Sequence, residues 1–325
     1  MTIKLMDKYK FFKIVSISVL LYLTSCDKQD VFQAPNSANF QTENVIIVVI
    51  DGARYSETWG DPTHAHIPKI ANEIAPYGVV STQFFNNGKT NTNNGHSAIT
   101  TGRYVEIDNS GMEYPHFPSI FQFWAASKNK PNTDAWVITS KDKLHILSDC
   151  SYPLWEGKYK PSINCGVNEN GGGGYRHDSI TFSKSMEILN THHPKMTLIN
   201  FREPDYSGHA ANWEDYILGI ENTDQYVSEI WDFIQKDSIY ANKTTLIVTN
   251  DHGRHLDWVS DGFINHGDNC LGCKHLNFYA IGPDFKEGVI LDNPRDLTDI
   301  SATISYLLGF QIPTGRGSVM FELFK

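Results

Sequence analysis

The chain predicts an α/β fold, a three-layer sandwich with a largely parallel central sheet flanked by helices. Three observations predict it. Apolar, β-branched runs of strand length recur along the 325 residues. Segments with helical periodicity separate these runs. Asp or His residues follow the runs directly, and the carboxyl ends of strands are where open α/β sheets place their sites.

The first segment is not part of that pattern. "MTIKLMDKYKFFK" is basic, Ile14–Leu23 is an apolar run too short to span a bilayer comfortably, and "LTSC" ends at Cys26. This resembles a bacterial lipobox. The resemblance implies a lipoprotein signal peptide over residues 1–25, a lipid on Cys26 as the mature first residue, and a location in the bacterial cell envelope, periplasmic or surface-exposed. Residues 26–43 are polar, contain Pro35, Asn36 and Ser37, and read as a tether. Residues 44–325 follow with no internal boundary and are expected to form a single domain.

"NVIIVVIDG" (Asn44–Gly52) is a continuous β-branched run ending in Asp-Gly, which predicts a buried parallel strand that delivers Asp51 at its end. Asp134–Ser140, Lys195–Phe201, Thr244–Gly253 and Leu276–Pro283 repeat the pattern. Helices are expected in "PHFPSIFQFWAAS", "ITFSKSMEILN", "WEDYILGIENTDQYVSEIWDFIQKD" and "LTDISATISYLLGF". The size and the 40% hydrophobic content suffice for a sizeable core. The formal charge is −10 and would be more negative without the basic leader. An acidic body argues against binding a nucleic-acid duplex. It leaves room for a small phosphorylated substrate held through metal ions.

Four cysteines follow Cys26, and export would place them in a disulfide-permissive compartment. Cys150–Cys165 with Cys270–Cys273 is the most economical pairing. "CLGC" also suggests zinc, but a structural zinc site takes four ligands and the chain has no second CxxC. The disulfide is therefore the favoured reading there.

The polar clusters carry the chemistry. "VVIDGARYSE" offers Asp51, "NFREPDYSGHAANW" offers Asp205 and His209, "IVTNDHGRH" offers Asp251 and His252, and "FINHGDN" adds His266. Burying Asp and His at strand ends is costly without compensation, and divalent cations compensate. Taken singly, each cluster is as readily a turn, a cap or a surface histidine; their joint occurrence is what points to metal. "KTNTNNGHSAITTGRY" (Lys89–Tyr104) precedes and enters a short helix with more hydroxyls and amides than a cap needs.

The order Asp…Thr…Asp-x-x-x-His…Asp-His…His resembles the alkaline phosphatase superfamily, and within it the nucleotide pyrophosphatase/phosphodiesterase branch. "TNNGHSAITTGRY" is similar to that branch's nucleophile motif, in which a threonine stands nine residues before a Thr-Gly pair; here it is Thr92. The resemblance covers roughly Asn44 to the C-terminus. It implies two divalent ions, zinc in kind. One is held by Asp51, Asp251, His252 and the Thr92 oxygen, and the other by Asp205, His209 and His266. It implies a phosphothreonine intermediate on Thr92 and a phosphodiester or pyrophosphate substrate ahead of a phosphomonoester. Asn109 matches an asparagine that donates to a phosphoryl oxygen. A threonine hydroxyl needs such help, because it is a weak nucleophile unless a metal or base activates it.

Thr92 also has the plainer role of a helix N-cap. Lys141 and Lys143 are most simply solvated lysines, His96 a packing residue, and Arg254 and His255 weak candidates for touching substrate. The branch's aromatic-Pro-Asn after the threonine is replaced by Asn93-Asn94-Gly95, which puts a nucleotide preference in doubt. The Cys/Ser-x-Pro-x-Arg setting of sulfatases is absent. The cofactor-independent phosphoglycerate mutases carry a serine and a large inserted domain for which the body is too short. A catalytically dead binding module is the remaining alternative, against which stands the presence of every expected ligand.

Overall fold

The computed structural model describes residues 40–325; Cys26, the leader and most of the tether lie outside them. The nine strands are β1 (Asn44–Ile50), β2 (Val79–Phe85), β3 (Ala135–Thr139), β4 (Ser162–Cys165), β5 (Met196–Phe201), β6 (Thr244–Thr249), β7 (His275–Ile281), β8 (Val289–Leu291) and β9 (Arg295–Asp296). They form one sheet in the order β4-β3-β5-β1-β6-β7-β2-β8, with β9 on β2. Pairings are parallel except along β7, which runs antiparallel to both β6 and β2. The largely parallel sheet is as the sequence predicts.

β1 lies at the centre, and all seven of its residues are buried. Its side chains alternate between two cores, as the period of a strand requires. Val45, Ile47 and Val49 join the core built with α1 (Thr92–Thr101), α2 (Ile120–Lys128) and α7 (Leu297–Leu308). Ile46, Val48 and Ile50 join the core built with α3 (Asp178–His192) and α5 (Trp213–Lys236). Burial on both faces explains why this strand reads as an uninterrupted apolar run. α4 (Asp205–His209) and α6 (Leu271–Lys274) are short and lie in connections after β5 and β6. No helix among the described residues is long and apolar enough to cross a membrane.

Two expectations need correcting. Phe40–Thr42, placed by composition in the tether, are docked on the body. Thr42 donates from its backbone (2.8 Å) and hydroxyl (2.6 Å) to Asp284, and the Phe40 ring packs 5.3 Å from Tyr306. Nor are the disulfides formed: Cys150, Cys165, Cys270 and Cys273 are free thiols. Cys270 instead caps α6, its sulfur accepting from the Cys273 backbone at 3.4 Å.

Candidate active site

Parallel register brings the carboxylates together. β1 pairs with β5 up to Ile50 opposite Phe201, and with β6 up to Val49 opposite Thr249. The next residues out of these strands therefore emerge side by side. The Asp51 amide donates to Phe201 O (3.1 Å), the Asp205 amide donates to Asp51 O (3.1 Å), and the Gly52 amide donates to Asp251 Oδ1 (3.3 Å). Gly52 has φ +68°, and a Cβ there would press on the Asp205 side chain, so the turn demands glycine. Gly95 plays a second enabling part: a Cβ at this position would collide with the Asp251 backbone, so α1 can lie against the end of β6 only without one.

Two groups of ligand atoms result. In the first, His252 Nε2 lies 3.4 Å from Asp51 Oδ1 and 3.4 Å from Asp251 Oδ2. All three residues are fully buried. Asp51 Oδ1 faces the Lys141 ammonium at 2.9 Å and Asp251 Oδ2 faces His96 Nδ1 at 3.2 Å, while His252 Nε2 has no hydrogen-bond partner. An unpartnered buried ring nitrogen is rare in native proteins, and this one points at two carboxylates. His252 Nδ1 donates to Gly253 O (2.9 Å), which leaves Nε2 with its lone pair. Burial alone would lower the His252 pKa, but Asp251 and then Asp51 outweigh it and raise it above its ordinary value. That is the field of a pocket that attracts positive charge.

In the second group, Asp205 Oδ1 lies 3.5 Å from His209 Nε2 and 3.3 Å from His266 Nε2, and the two nitrogens are 3.0 Å apart. Tetrahedral ligands about 2.0–2.1 Å from one zinc ion stand about 3.3 Å from each other. His266 Nδ1 donates to Thr90 O (2.8 Å), again freeing Nε2. Burial, with the His252 charge beside it, pulls His266 down to about 4, so it is a neutral imidazole at neutral pH. Burial also lowers His209, with Arg254 Nη2 3.3 Å from its Nδ1. The two groups adjoin: Asp51, Asp205 and His252 also offer ligand atoms within 4.8 Å of one another. The residues thus fit a pair of divalent ions in donor type, tautomer and spacing.

Thr92 is the first residue of α1, and it is not the cap. Asn91 caps the helix, its Oδ1 accepting from Asn94 N (3.2 Å). The Thr92 hydroxyl accepts from Lys141 Nζ at 3.1 Å. Lys141 is the residue that reading it as solvated misplaced. It is only 1% exposed, and its Nζ also lies 2.9 Å from Asp51 Oδ1 and 2.6 Å from Asp205 Oδ2. Burial would depress this ammonium, but Asp205 and Asp51 more than offset that and hold it charged above the usual lysine range. Lysine enters a site of this kind because three carboxylates converge there. The signal that marks it is positional: Lys141 stands at the carboxyl end of β3, as Asp51 does at the end of β1.

Asn109 lies at the rim. Its Oδ1 accepts from Asn93 N (3.0 Å) and from Lys143 Nζ (3.1 Å), which turns its amide nitrogen outward as a donor. Burial and the neighbouring Lys141 pull Lys143 down to about 8. His96 is fully buried, donating from Nδ1 to Thr92 O (2.9 Å). Arg254 is buried beneath the second group, donating to Asp205 Oδ1 and to the carbonyls of Phe263 and Ile264, so it braces the site from below.

A chain with this sheet and these strand-end carboxylates has the fold of the alkaline phosphatase superfamily, as the sequence resemblance implies. Residues 158–312 match the family model described as Metalloenzyme superfamily. In structure the chain is similar to a phosphonate monoester hydrolase from Silicibacter pomeroyi (TM-score 0.62, 14% identity, 85% of this chain and 76% of that one). It is also similar to murine ectonucleotide pyrophosphatase/phosphodiesterase 5 (TM-score 0.56, 17% identity, 85% and 97%). A third likeness is to an alkaline phosphatase superfamily protein from Vibrio parahaemolyticus (TM-score 0.58, 17% identity, 85% and 69%). In sequence it is 30% identical over 138 residues to the 2,3-bisphosphoglycerate-independent phosphoglycerate mutase of Gracilaria tenuistipitata var. liui. That match covers 42% of this chain and about a quarter of the mutase (25%).

Proposed function

We propose that the chain is a metal-dependent phosphoric ester hydrolase in which Thr92 is the nucleophile. One observation carries the reading. The Thr92 hydroxyl is buried, free of capping duty, and hydrogen-bonded to a lysine that touches one carboxylate from each candidate ion site. Two divalent ions, zinc by the donor set, would be held by Asp51, Asp251, His252 and Thr92 and by Asp205, His209 and His266. When bound, they would supply Lewis-acid activation of the attacking oxygen and neutralise charge on the leaving oxygen. Lys141 donates to Thr92 Oγ and favours its alkoxide form. Thr92 Oγ gives up its proton to solvent and bonds to phosphorus as the bond to the leaving oxygen breaks, the leaving oxygen taking a proton from solvent. Water then cleaves the phosphothreonine, restoring the Thr92 hydroxyl and releasing the phosphorylated product. Asn109 offers its amide to a phosphoryl oxygen. The amides at the start of α1 add the positive end of a helix.

The motif likeness favours a phosphodiester or pyrophosphate. A phosphomonoester is the second reading, favoured by two lysines suited to a dianion: Lys141 on the Thr92 hydroxyl, and Lys143 on Asn109 at the rim. The location we propose, a lipid anchor on Cys26 at the cell envelope, rests on the leader sequence alone.

The test is kcat/KM of the zinc-loaded protein on nitrophenyl phosphate, bis-nitrophenyl phosphate and nitrophenyl sulfate, beside Thr92→Ala. Turnover of a phosphate ester that falls by about 10³-fold or more in the variant supports the assignment. Equal activity of variant and parent, or turnover of sulfate alone, would sink it.

A further inference from the structure

Outside the catalytic pocket, the loop between β6 and β7 gathers a second set of metal-binding side chains. His255, Asp268, Cys270 and Cys273 each offer one ligand atom, and the four atoms all lie within 4.8 Å of one another. From these residues we infer a structural zinc site, separate from the candidate catalytic ions and independent of the phosphoryl-transfer reading. The missing partners that made zinc unlikely from "CLGC" alone are supplied by His255 and Asp268, which the fold brings to the CxxC turn.

Each member is prepared for the role. His255 is 6% exposed, and its Nε2 has no hydrogen-bond partner. Its Nδ1 faces Asp261 Oδ1 at 2.7 Å. With the proton on Nδ1, the Nε2 lone pair points inward, the carboxylate–histidine arrangement that supports ligating imidazoles. Asp268 is similarly set. Its Oδ1 accepts from Cys270 N (2.8 Å), while Oδ2 lies 3.2 Å from His255 Nε2. A carboxylate oxygen and an imidazole lone pair at that distance repel unless a proton or a cation lies between them. A proton would explain His255 and Asp268 but not the two free thiols beside them. The Cys273 amide donates to Cys270 Sγ at 3.4 Å, which holds the two sulfurs on one turn. Two sulfurs, one imidazole and one carboxylate make a four-ligand set that suits zinc. Binding would release the two thiol protons to solvent.

The placement gives the site a purpose. His255 and Cys273 stand at the two ends of the segment that carries His266. An ion joining those ends would fix the loop on which His266 reaches Asp205.

The test uses the full chain, prepared under reducing conditions and loaded with cobalt(II) in one arm and zinc in the other. The candidate catalytic sites contain no sulfur, so thiolate-to-cobalt charge transfer in the near ultraviolet reports this site alone. The expected result is that band in the parent and in Cys150→Ser/Cys165→Ser. It is lost in Cys270→Ser/Cys273→Ser, which binds one zinc fewer per chain. Asp261→Asn, which leaves every ligand in place, should weaken zinc binding by roughly 10–100-fold in competition with a chelator. The inference is overturned if the parent shows no such band, or if the band survives loss of Cys270 and Cys273. It is also overturned if the zinc-loaded parent has the mass of a Cys270–Cys273 disulfide, or if Asp261→Asn binds zinc as the parent does. Those failures would leave the Thr92 assignment standing, because it involves no thiol.

Discussion

At the scale of single residues, Lys141 ties the candidate site together. Its nitrogen touches Thr92, Asp51 and Asp205 together. Removing it leaves two buried carboxylates facing each other and a hydroxyl without its donor. Lys141→Met should therefore lower kcat by about 10²-fold or more. The loss should be larger on nitrophenyl phosphate than on its bis-ester, since a dianion depends more on fixed positive charge. Steady-state kinetics on both esters check this; an unchanged kcat would remove Lys141 from the reaction. Lys141→Arg should not rescue, because a planar guanidinium cannot replace a compact ammonium among three oxygens.

Elements position what the residues do, and they differ in how clearly the sequence announces them. β1, β3, β5, β6 and β7 are central or paired on both sides, so their apolar runs are unmistakable and their ends lie close to those expected, the largest difference being at the end of β6, Thr249 in place of Gly253. β2 is interrupted by Ser81, Thr82 and Gln83, and β8 and β9 are three and two residues long, too short to leave a pattern. The strand-end carboxylates were legible for the same reason as the strands. Lys141 was not, because a lysine after a strand looks like any solvated lysine until the neighbouring strand ends are known. The His255–Asp268 partnership with the CxxC was hidden likewise, since it depends on how one loop folds back. A further element-scale contact gives a pH prediction. Asp224 on α5 accepts from the amides of Lys69 (2.8 Å) and Ile70 (2.8 Å), and burial lifts its carboxyl to about 6. The folded state therefore holds this proton more tightly than the unfolded chain. The group's contribution to stability is complete below about pH 4 and is lost as pH rises through about 6. Denaturant melts of Asp224→Asn between pH 4 and 7 should show less fall in stability with rising pH than the parent; parallel curves would refute it.

At the scale of the whole molecule, the candidate site joins Asp51 to His266 through four separate strand ends, so its carboxylates are held together only by the completed sheet. Lys141 and Arg254 offset part of their mutual repulsion, and bound cations would offset the rest. Chelation of the bound metal should lower the thermal midpoint by about 5 °C or more, with recovery on adding zinc, read by differential scanning calorimetry. An unchanged midpoint would mean that the acidic pocket is already balanced by Lys141 and Arg254.

The reversal of direction at β7 has a consequence of a different kind. Because β6 and β7 are antiparallel neighbours, Asn250–Lys274 leaves the sheet and comes back at the same end, over the candidate site. Its tip includes Trp258, which is fully exposed. Lengthening such a loop costs little, about 0.6 kcal/mol for each doubling. Evolutionary change can thus act here without disturbing a single strand: new walls for the pocket can be added near Trp258 while Asp251 and His252 stay anchored at the end of β6 and His266 is held by its bond to Thr90 O.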